Sequence, residues 1–181
     1  MDMQKIAAII FLLLFSFHSH SAGYAYGGLN YSFNGVISKN DAYNGATTLS
    51  PGLVAGVRFN KIGLEVFGRK FTMVNDDYVV NNILYEVEVD TLLYGLGMRL
   101  SLTQGVDFIL GANFQNVQAS SNPSVSGLLN KDYMSYYIGG GFNRLLYPKV
   151  RGQLDMAYYR GDVSFGILGV ILSVVYEFTT F

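Results

Sequence analysis

Apolar and polar residues alternate with a period of two along most of this 181-residue chain. In residues 168–178 one set of alternate positions is apolar throughout, while the other set is mixed and ends at Glu177. A period of two places the two sets on opposite faces of a β-strand. The pattern occurs in eight segments, which are residues 24–34, 52–59, 63–72, 85–101, 106–115, 136–143, 150–159 and 168–178. The alternation therefore predicts an all-β chain of eight strands.

The charged residues decide which face of each strand meets lipid. Seven of them lie on the mixed faces: Arg58, Glu65, Arg99, Asp107, Arg151, Asp155 and Glu177. A one-residue slip in register would turn this whole set onto the apolar side. An arginine that faces lipid near the membrane midplane costs about 2–4 kcal/mol, so seven misplaced charges would exceed the roughly 5–15 kcal/mol that stabilises a typical protein. We therefore expect the apolar faces to meet lipid and the charges to lie inside a barrel.

The first 22 residues have the layout of a secretory signal peptide. One lysine precedes the apolar stretch 6–17, and a short polar segment ends near Ala22. A stretch of twelve residues is too short for a spanning helix, which needs about 20. We expect residues 1–22 to be the signal peptide and residues 23–181 to be one barrel domain.

The predicted connections alternate between short and long. Short turns follow the second, fourth and sixth strands, and longer loops occupy residues 38–48, 75–82 and 120–132. This alternation is typical of an antiparallel up-and-down transmembrane β-barrel in the outer membrane, with both termini in the periplasm and the long loops extracellular. Outward aromatic residues near both strand ends predict two interfacial girdles: Phe59, Phe108, Phe142 and Phe178 on the short-turn side, and Phe33, Phe114, Tyr136 and Tyr158 on the loop side.

The composition narrows the classes of function. A net charge of −1 argues against a nucleic-acid partner. The chain has no cysteine, and both histidines lie in the predicted signal peptide, so a serine would have no histidine to activate it. We expect no enzyme activity, no catalytic residue and no cofactor. A group of five acidic residues could offer oxygen ligands to a divalent cation, although a solvated loop face is the preferred interpretation: Asp76, Asp77, Glu86, Glu88 and Asp90.

Three stretches carry a resemblance to a known family. They are the residues GVRF at 56–59 leading into GLE at 63–65, GLGMR at 95–99, and VVYEF at 174–178. With them, the predicted mature chain resembles the small eight-stranded outer-membrane barrels of the OmpA transmembrane domain and OmpX type. The resemblance implies barrel-assembly machinery as a partner. The assembly signal of that family normally ends on the last residue, which is aromatic. This chain departs from that pattern, because three residues follow Phe178.

The inward charges are predicted to form a paired structural network in the lumen. Its members are Arg58, Glu65, Arg69, Arg99, Asp107, Arg151, Asp155 and Glu177. We expect Arg58 to lie opposite Glu65 and Arg99 opposite Asp107 across their short turns, with Phe67 and Tyr137 above this layer. A lumen of eight strands can be filled by side chains. Because the charges balance, a plug is favoured over the alternative of a selectivity ring in a pore.

The second predicted long loop is unusually apolar. Its candidate interaction residues are Tyr78, Val79, Val80, Ile83, Leu84 and Tyr85. These side chains suggest that the third and fourth strands continue above the membrane as a hairpin, either to contact a partner or to pack on the barrel itself. The alternation is less regular in residues 86–93, which predicts a bulge or a strand end beyond the membrane.

The predicted function is that of a non-catalytic outer-membrane protein with an envelope-structural or adhesion-like role through its loops. A narrow pore or small-solute channel is the alternative, and a soluble lipocalin-like barrel is a remaining rival. The expected partners are outer-membrane lipid and lipopolysaccharide, together with host or phage surface molecules as further candidates.

Overall fold

The computed structural model describes residues 23–38, 45–46, 50–124, 130–161 and 165–180. The predicted signal peptide and most of the predicted first loop lie outside these residues. The described residues form nine strands: β1(Gly23–Ser38), β2(Gly45–Ala46), β3(Ser50–Phe59), β4(Ile62–Val80), β5(Ile83–Thr103), β6(Val106–Asn122), β7(Asn130–Tyr147), β8(Val150–Arg160) and β9(Phe165–Thr180). Eight of them are long, and every neighbouring pair is antiparallel.

The eight long strands close into a ring. Each pairs with its neighbour in chain order, and β1 pairs with β9 to close the barrel. The short β2 pairs with β1 beyond the end of β3, where Gly35 lies opposite Ala46. The predicted eight-stranded antiparallel up-and-down barrel is therefore confirmed. No helix among the described residues is long and apolar enough to cross a membrane.

The two faces of the wall differ as the alternation predicts. In β9, Ile171 is 1% exposed and faces the lumen, whereas the next residue, Leu172, is 56% exposed on the outside. Arg58, Glu65, Arg99 and Asp107 are all buried in the lumen. Large apolar side chains cover the outer surface around the ring, far more than the scattered exposed residues of a soluble protein. A lipocalin-like barrel would have the reverse arrangement, so the soluble rival is wrong.

The predicted loop at residues 75–82 is wrong in its extent. Strands β4 and β5 continue to a two-residue turn at Asn81 and Asn82. Both residues have positive φ, 51° and 62°, which is the geometry of a type I′ hairpin turn. Asparagine tolerates this conformation better than most residues, so the Asn–Asn pair allows the strands to extend where a loop was expected. The third predicted loop is shorter as well, because β6 continues to Asn122 and β7 begins at Asn130.

In the half of β5 that is next to the β4–β5 turn, apolar side chains face inward and charged side chains face outward, which is the reverse of the rest of the strand. Val87 and Val89 are buried inside, while Glu86 and Glu88 are exposed outside. The pairing of this part of β5 with β6 has no register shift. The pairing with β4 does shift, because the two β4 residues between Asn75 and Tyr78 lie opposite the single residue Glu86, so the bulge belongs to β4 rather than to β5. Of the two expectations for residues 86–93, the second one fits, which is a strand end that extends beyond the membrane. Charged side chains outside and apolar side chains inside require water around this part of the barrel.

Candidate functional site

Buried ion pairs cross the lumen near the short-turn end of the barrel. An Arg58 Nη2 atom lies 2.6 Å from Asp107 Oδ1. Arg99 Nε lies 2.6 Å from Glu65 Oε1, and Arg99 Nη1 lies 3.0 Å from Asp155 Oδ1. Asp107 Oδ2 is also 3.5 Å from Arg99. Arg99 is therefore the central cation, in contact with three carboxylates from three different strands.

The pairs differ from those expected across the short turns. Arg58 lies opposite Gly63, and Glu65 lies opposite Gly56, because the turn at residues 60–61 sets Phe59 against Ile62. At the next short turn, a register shift between Ser101 and Thr103 places Asp107 opposite Ser101 rather than Arg99. The predicted placement of Arg58 opposite Glu65 and of Arg99 opposite Asp107 is wrong, although Arg99 and Asp107 still form an ion pair at 3.5 Å. Arg58 reaches across the lumen to Asp107 instead.

A second layer, above the ion pairs, is built from aromatic rings and Arg69. The Phe67 and Tyr137 ring centroids are 5.3 Å apart, and those of Tyr137 and Tyr159 are 5.1 Å apart. The Arg69 guanidinium lies 4.7 Å from the Phe67 ring centroid. It donates from Nε to Asn30 Oδ1 at 3.1 Å and from Nη1 to the Tyr159 hydroxyl. Aromatic rings and hydrogen bonds thus hold this buried cation, and no described carboxylate forms an ion pair with it.

The charges of the two layers cancel. Three arginines, Arg58, Arg69 and Arg99, face three acids, Glu65, Asp107 and Asp155, so the net charge is zero. The two remaining residues of the predicted network form a pair at the short-turn mouth, where Arg151 Nε lies 2.5 Å from Glu177 Oε1. The Arg151 side chain is 24% exposed, so this pair is partly solvated. A neutral interior of this kind fits a plug better than a selectivity ring, which would accumulate one sign of charge.

Neutral side chains that were not predicted from the sequence complete the network. Tyr26 donates its hydroxyl to Glu65. Asn143 Nδ2 lies 2.6 Å from Asp107 Oδ2, and Ser101 Oγ lies 3.0 Å from Asp107 Oδ1. Each of these residues occupies the inward phase of its strand, and that phase was the available signal. Their partners depend on the strand stagger, which the alternation does not specify.

Inward glycines give the large lumen side chains their space. A Cβ atom at Gly97 would overlap the Tyr137 hydroxyl, and one at Gly111 would lie 2.5 Å from Tyr137 Cε1. A Cβ at Gly95 would lie 2.7 Å from Phe67 Cζ. Between the two layers a cavity of about 20 Å³ remains, which is room for about one water molecule. The lumen is therefore closed at this height.

The substitution Gly97→Ala is expected to lower the free energy of unfolding by about 1–3 kcal/mol, because it overpacks the lumen against Tyr137. The measurement is urea unfolding in lipid vesicles, followed by far-ultraviolet circular dichroism. Gly68→Ala is the matched control, because a Cβ at Gly68 faces outward and meets no atom within 4 Å. Equal stability of the two variants would contradict the close packing of this layer.

The described residues assemble no recognisable metal centre. No group of three or more His, Cys, Asp or Glu side chains comes together among them. Thr72 donates a hydrogen bond to Asp90 on the outer face. The side chains of Asp76 and Asp77 are not among those that the structure describes. The cation site considered for this region therefore gains no support from the described residues.

The tip of the β4–β5 hairpin presents apolar side chains. Val79 and Leu84 lie directly opposite each other and are 57% and 60% exposed. Ile83 beside them is exposed as well, whereas Tyr85 is partly buried against the core. The Tyr78 and Val80 side chains lie outside the description, although their backbones belong to β4. Below the tip, Glu86 and Glu88 are exposed on β5, so an acidic surface follows the apolar one.

Solved structures of similar fold come from bacterial outer membranes. The attachment invasion locus protein Ail of Yersinia pestis, in complex with the heparin analogue sucrose octasulfate, aligns with a TM-score of 0.52 and 16% identity, over 88% of this chain and 99% of that chain. Neisserial surface protein A (NspA) aligns with a TM-score of 0.54 and 16% identity, over 88% of this chain and 100% of that chain. No protein-family model matches the chain, and neither does any curated protein sequence. The fold is that of the small eight-stranded outer-membrane barrels.

Proposed function

We propose that this chain is a non-catalytic integral protein of the bacterial outer membrane, with the β4–β5 hairpin as its interaction surface. The short turns and both termini face the periplasm in this proposal, and the hairpin is extracellular. Residues 1–22 are the signal peptide that directs export, and the barrel-assembly machinery and outer-membrane lipid, including lipopolysaccharide, are its envelope partners. The observation that carries the proposal is the apolar hairpin tip above a lumen that side chains close.

The position of the tip argues against a role in the surrounding membrane. On the outer face of β5, apolar residues end at Leu92, and Leu84 lies eight positions away along the strand. At about 3.3 Å per residue the tip is about 26 Å along the strand from the last apolar residue of the belt, or about 20 Å in height for a strand tilt of about 40°. Exposed valine and leucine side chains at that height are too far from the acyl chains to be covered by them.

The chemistry of the hairpin specifies the kind of partner. An apolar pair at the tip followed by Glu86 and Glu88 fits a protein surface that has an apolar depression bordered by basic groups. The complex of Ail with a heparin analogue concerns a polyanion. A polyanion would be repelled by Glu86 and Glu88, so we propose a protein partner on a host cell or phage for this hairpin.

The double substitution Val79→Ser and Leu84→Ser is expected to reduce adhesion about tenfold or more, because it removes two apolar side chains from the interface. Adhesion is measured with bacteria that express the chain, by counting those bound to cultured epithelial cells, and phage adsorption is measured in parallel. Leu102→Ser is the control, since Leu102 is also exposed but lies at the opposite end of β5. Unchanged adhesion and phage adsorption of the double variant would contradict the hairpin's role.

A further inference from the structure

Exposed acidic residues of the described chain lie at one end of the barrel only, whereas exposed cations lie at both ends. At the short-turn end, the exposed charged residues are Lys61, Arg144 and Lys149, and no acidic residue of the described chain is exposed there. The exposed acids, Glu86, Glu88 and Asp132, all lie at the long-loop end. Three cations with no exposed acidic neighbour at the short-turn end favour an anionic surface at that level of the membrane.

Two of these cations flank an apolar segment at the β7–β8 turn. Leu145, Leu146 and Tyr147 follow Arg144 directly, and all three are exposed, with Leu146 at 63% and Tyr147 at 71%. A register shift between Leu145 and Tyr147 leaves Leu146 without a partner on β8. Lys149 follows with φ of 66°, and its carbonyl oxygen accepts a 2.8 Å hydrogen bond from the backbone N–H of Glu177. The bulge and this hydrogen bond fix a turn that exposes apolar and cationic groups together.

The other two short turns lack this combination. The β3–β4 turn offers Lys61 beside Asn60, and it has no bulge. The β5–β6 turn, residues 103–105, contains no cation. Neither Arg144 nor Lys149 is paired with a carboxylate of the described chain. Both cations at the β7–β8 turn are therefore available to an external anion.

We propose that the β7–β8 turn is a binding site for the headgroup of an anionic phospholipid. Arg144 and Lys149 contact the phosphate, with their alkyl chains extended toward the membrane surface. Leu146 lies against the part of the acyl chains nearest the headgroups, and the Tyr147 ring lies at the interface, where tyrosine is enriched in membrane proteins. The inference rests on the proposed function only in requiring that the barrel be embedded in a bilayer.

The test uses the full chain purified into nanodiscs of phosphatidylcholine with and without phosphatidylglycerol. Native mass spectrometry counts the lipids of each kind that remain bound. The native chain is expected to retain phosphatidylglycerol in preference to phosphatidylcholine. The double variant Arg144→Gln and Lys149→Gln is expected to lose about fivefold in this preference for each charge removed.

A second double variant, Lys70→Gln and Arg160→Gln, removes the same number of exposed charges away from the short-turn end and is expected to keep the preference. An equal loss in both double variants, or no loss in the first, would overturn the proposal. The shift in gel mobility on heating reports whether each variant is folded, and the single variant Lys149→Gln serves if the double variant is not. Adhesion through the hairpin is unaffected by Arg144 and Lys149, so the failure of one proposal is distinguishable from the failure of the other.

Discussion

Replacing Arg99 with methionine is expected to lower the free energy of unfolding by about 3–5 kcal/mol. The substitution keeps an unbranched side chain that ends about where Arg99 Nε lies, and it removes the cation that contacts Glu65, Asp107 and Asp155. Two of these acids would then be buried without an ionic partner, since Asp107 alone keeps a second arginine, Arg58. Breaking a buried pair from one side costs this much because the remaining charge stays desolvated. Urea unfolding in lipid vesicles, followed by circular dichroism, measures the loss.

Two further variants make the result specific to the buried charge. Arg151→Met also removes an arginine of an ion pair, but that pair is partly solvated, so the expected cost is about 1 kcal/mol or less. The triple variant Arg99→Met, Glu65→Gln and Asp155→Asn removes the unpaired charges together with the cation, and it is expected to recover much of the lost stability. A loss for Arg99→Met no larger than that for Arg151→Met would show that the lumen is hydrated rather than closed.

Conductance separates the closed barrel from the alternative of a narrow pore. The native chain in a planar bilayer is expected to show no steady openings, because the ion pairs and the rings of Phe67, Tyr137 and Tyr159 occupy the lumen in succession. Steady and selective openings of the purified native chain would favour the pore. Openings found only in Arg99→Met would show that the arginine closes the path.

The alternation alone was sufficient to predict the faces of the strands, because only one phase keeps the charges out of lipid. Arg58, Glu65, Arg99 and Asp107 are buried as that argument requires. The pairing of these charges was not predictable in the same way. It depends on where each short turn closes, and a shift of two residues in the pairing changes the opposite residue while leaving the phase of both strands unchanged.

The contacts across the lumen are set by the stagger of the whole ring. Arg69 and Tyr159 are 90 positions apart in the chain, and the hydrogen bond between them crosses the lumen. No local pattern relates such residues. Gly97 and Gly111 did carry a signal, since small inward residues on neighbouring strands indicate a large side chain nearby, but the sequence did not identify that side chain as Tyr137.

The extent of the hairpin was only partly predictable from the sequence. The apolar residues around positions 78–85 indicated that strands continue, whereas the surrounding Asp and Asn residues suggested a loop. The structure reconciles the two signals, because Asn81 and Asn82 form the turn and the register shift near Asn75 accommodates the aspartates in a strand. Turn-forming residues in a β-prone segment shorten the loop when their conformation matches a hairpin.

Replacing Leu96 with arginine is expected to cost about 2–4 kcal/mol of the free energy of unfolding in lipid vesicles. Leu96 is exposed on the outer face of β5, in the middle of the apolar residues that run from Leu92 to Leu100. An arginine there must either stay in the hydrocarbon or pull water and headgroups toward it, and both are costly near the membrane midplane. Urea titration of the reconstituted barrel measures the difference.

Val74→Arg is the matched control. It is on the same outer surface, but in the part of the wall where charged side chains face outward and apolar side chains face inward. Val74 is 43% exposed and lies opposite Glu88 across the β4–β5 pair, so an arginine there gains an acidic neighbour in water. The expected change is within about 0.5 kcal/mol of zero. Equal costs at the two positions would mean that lipid does not surround Leu96. Because the same residue is introduced on the same face of one hairpin, the difference between the two variants measures the medium outside the barrel and locates where lipid ends.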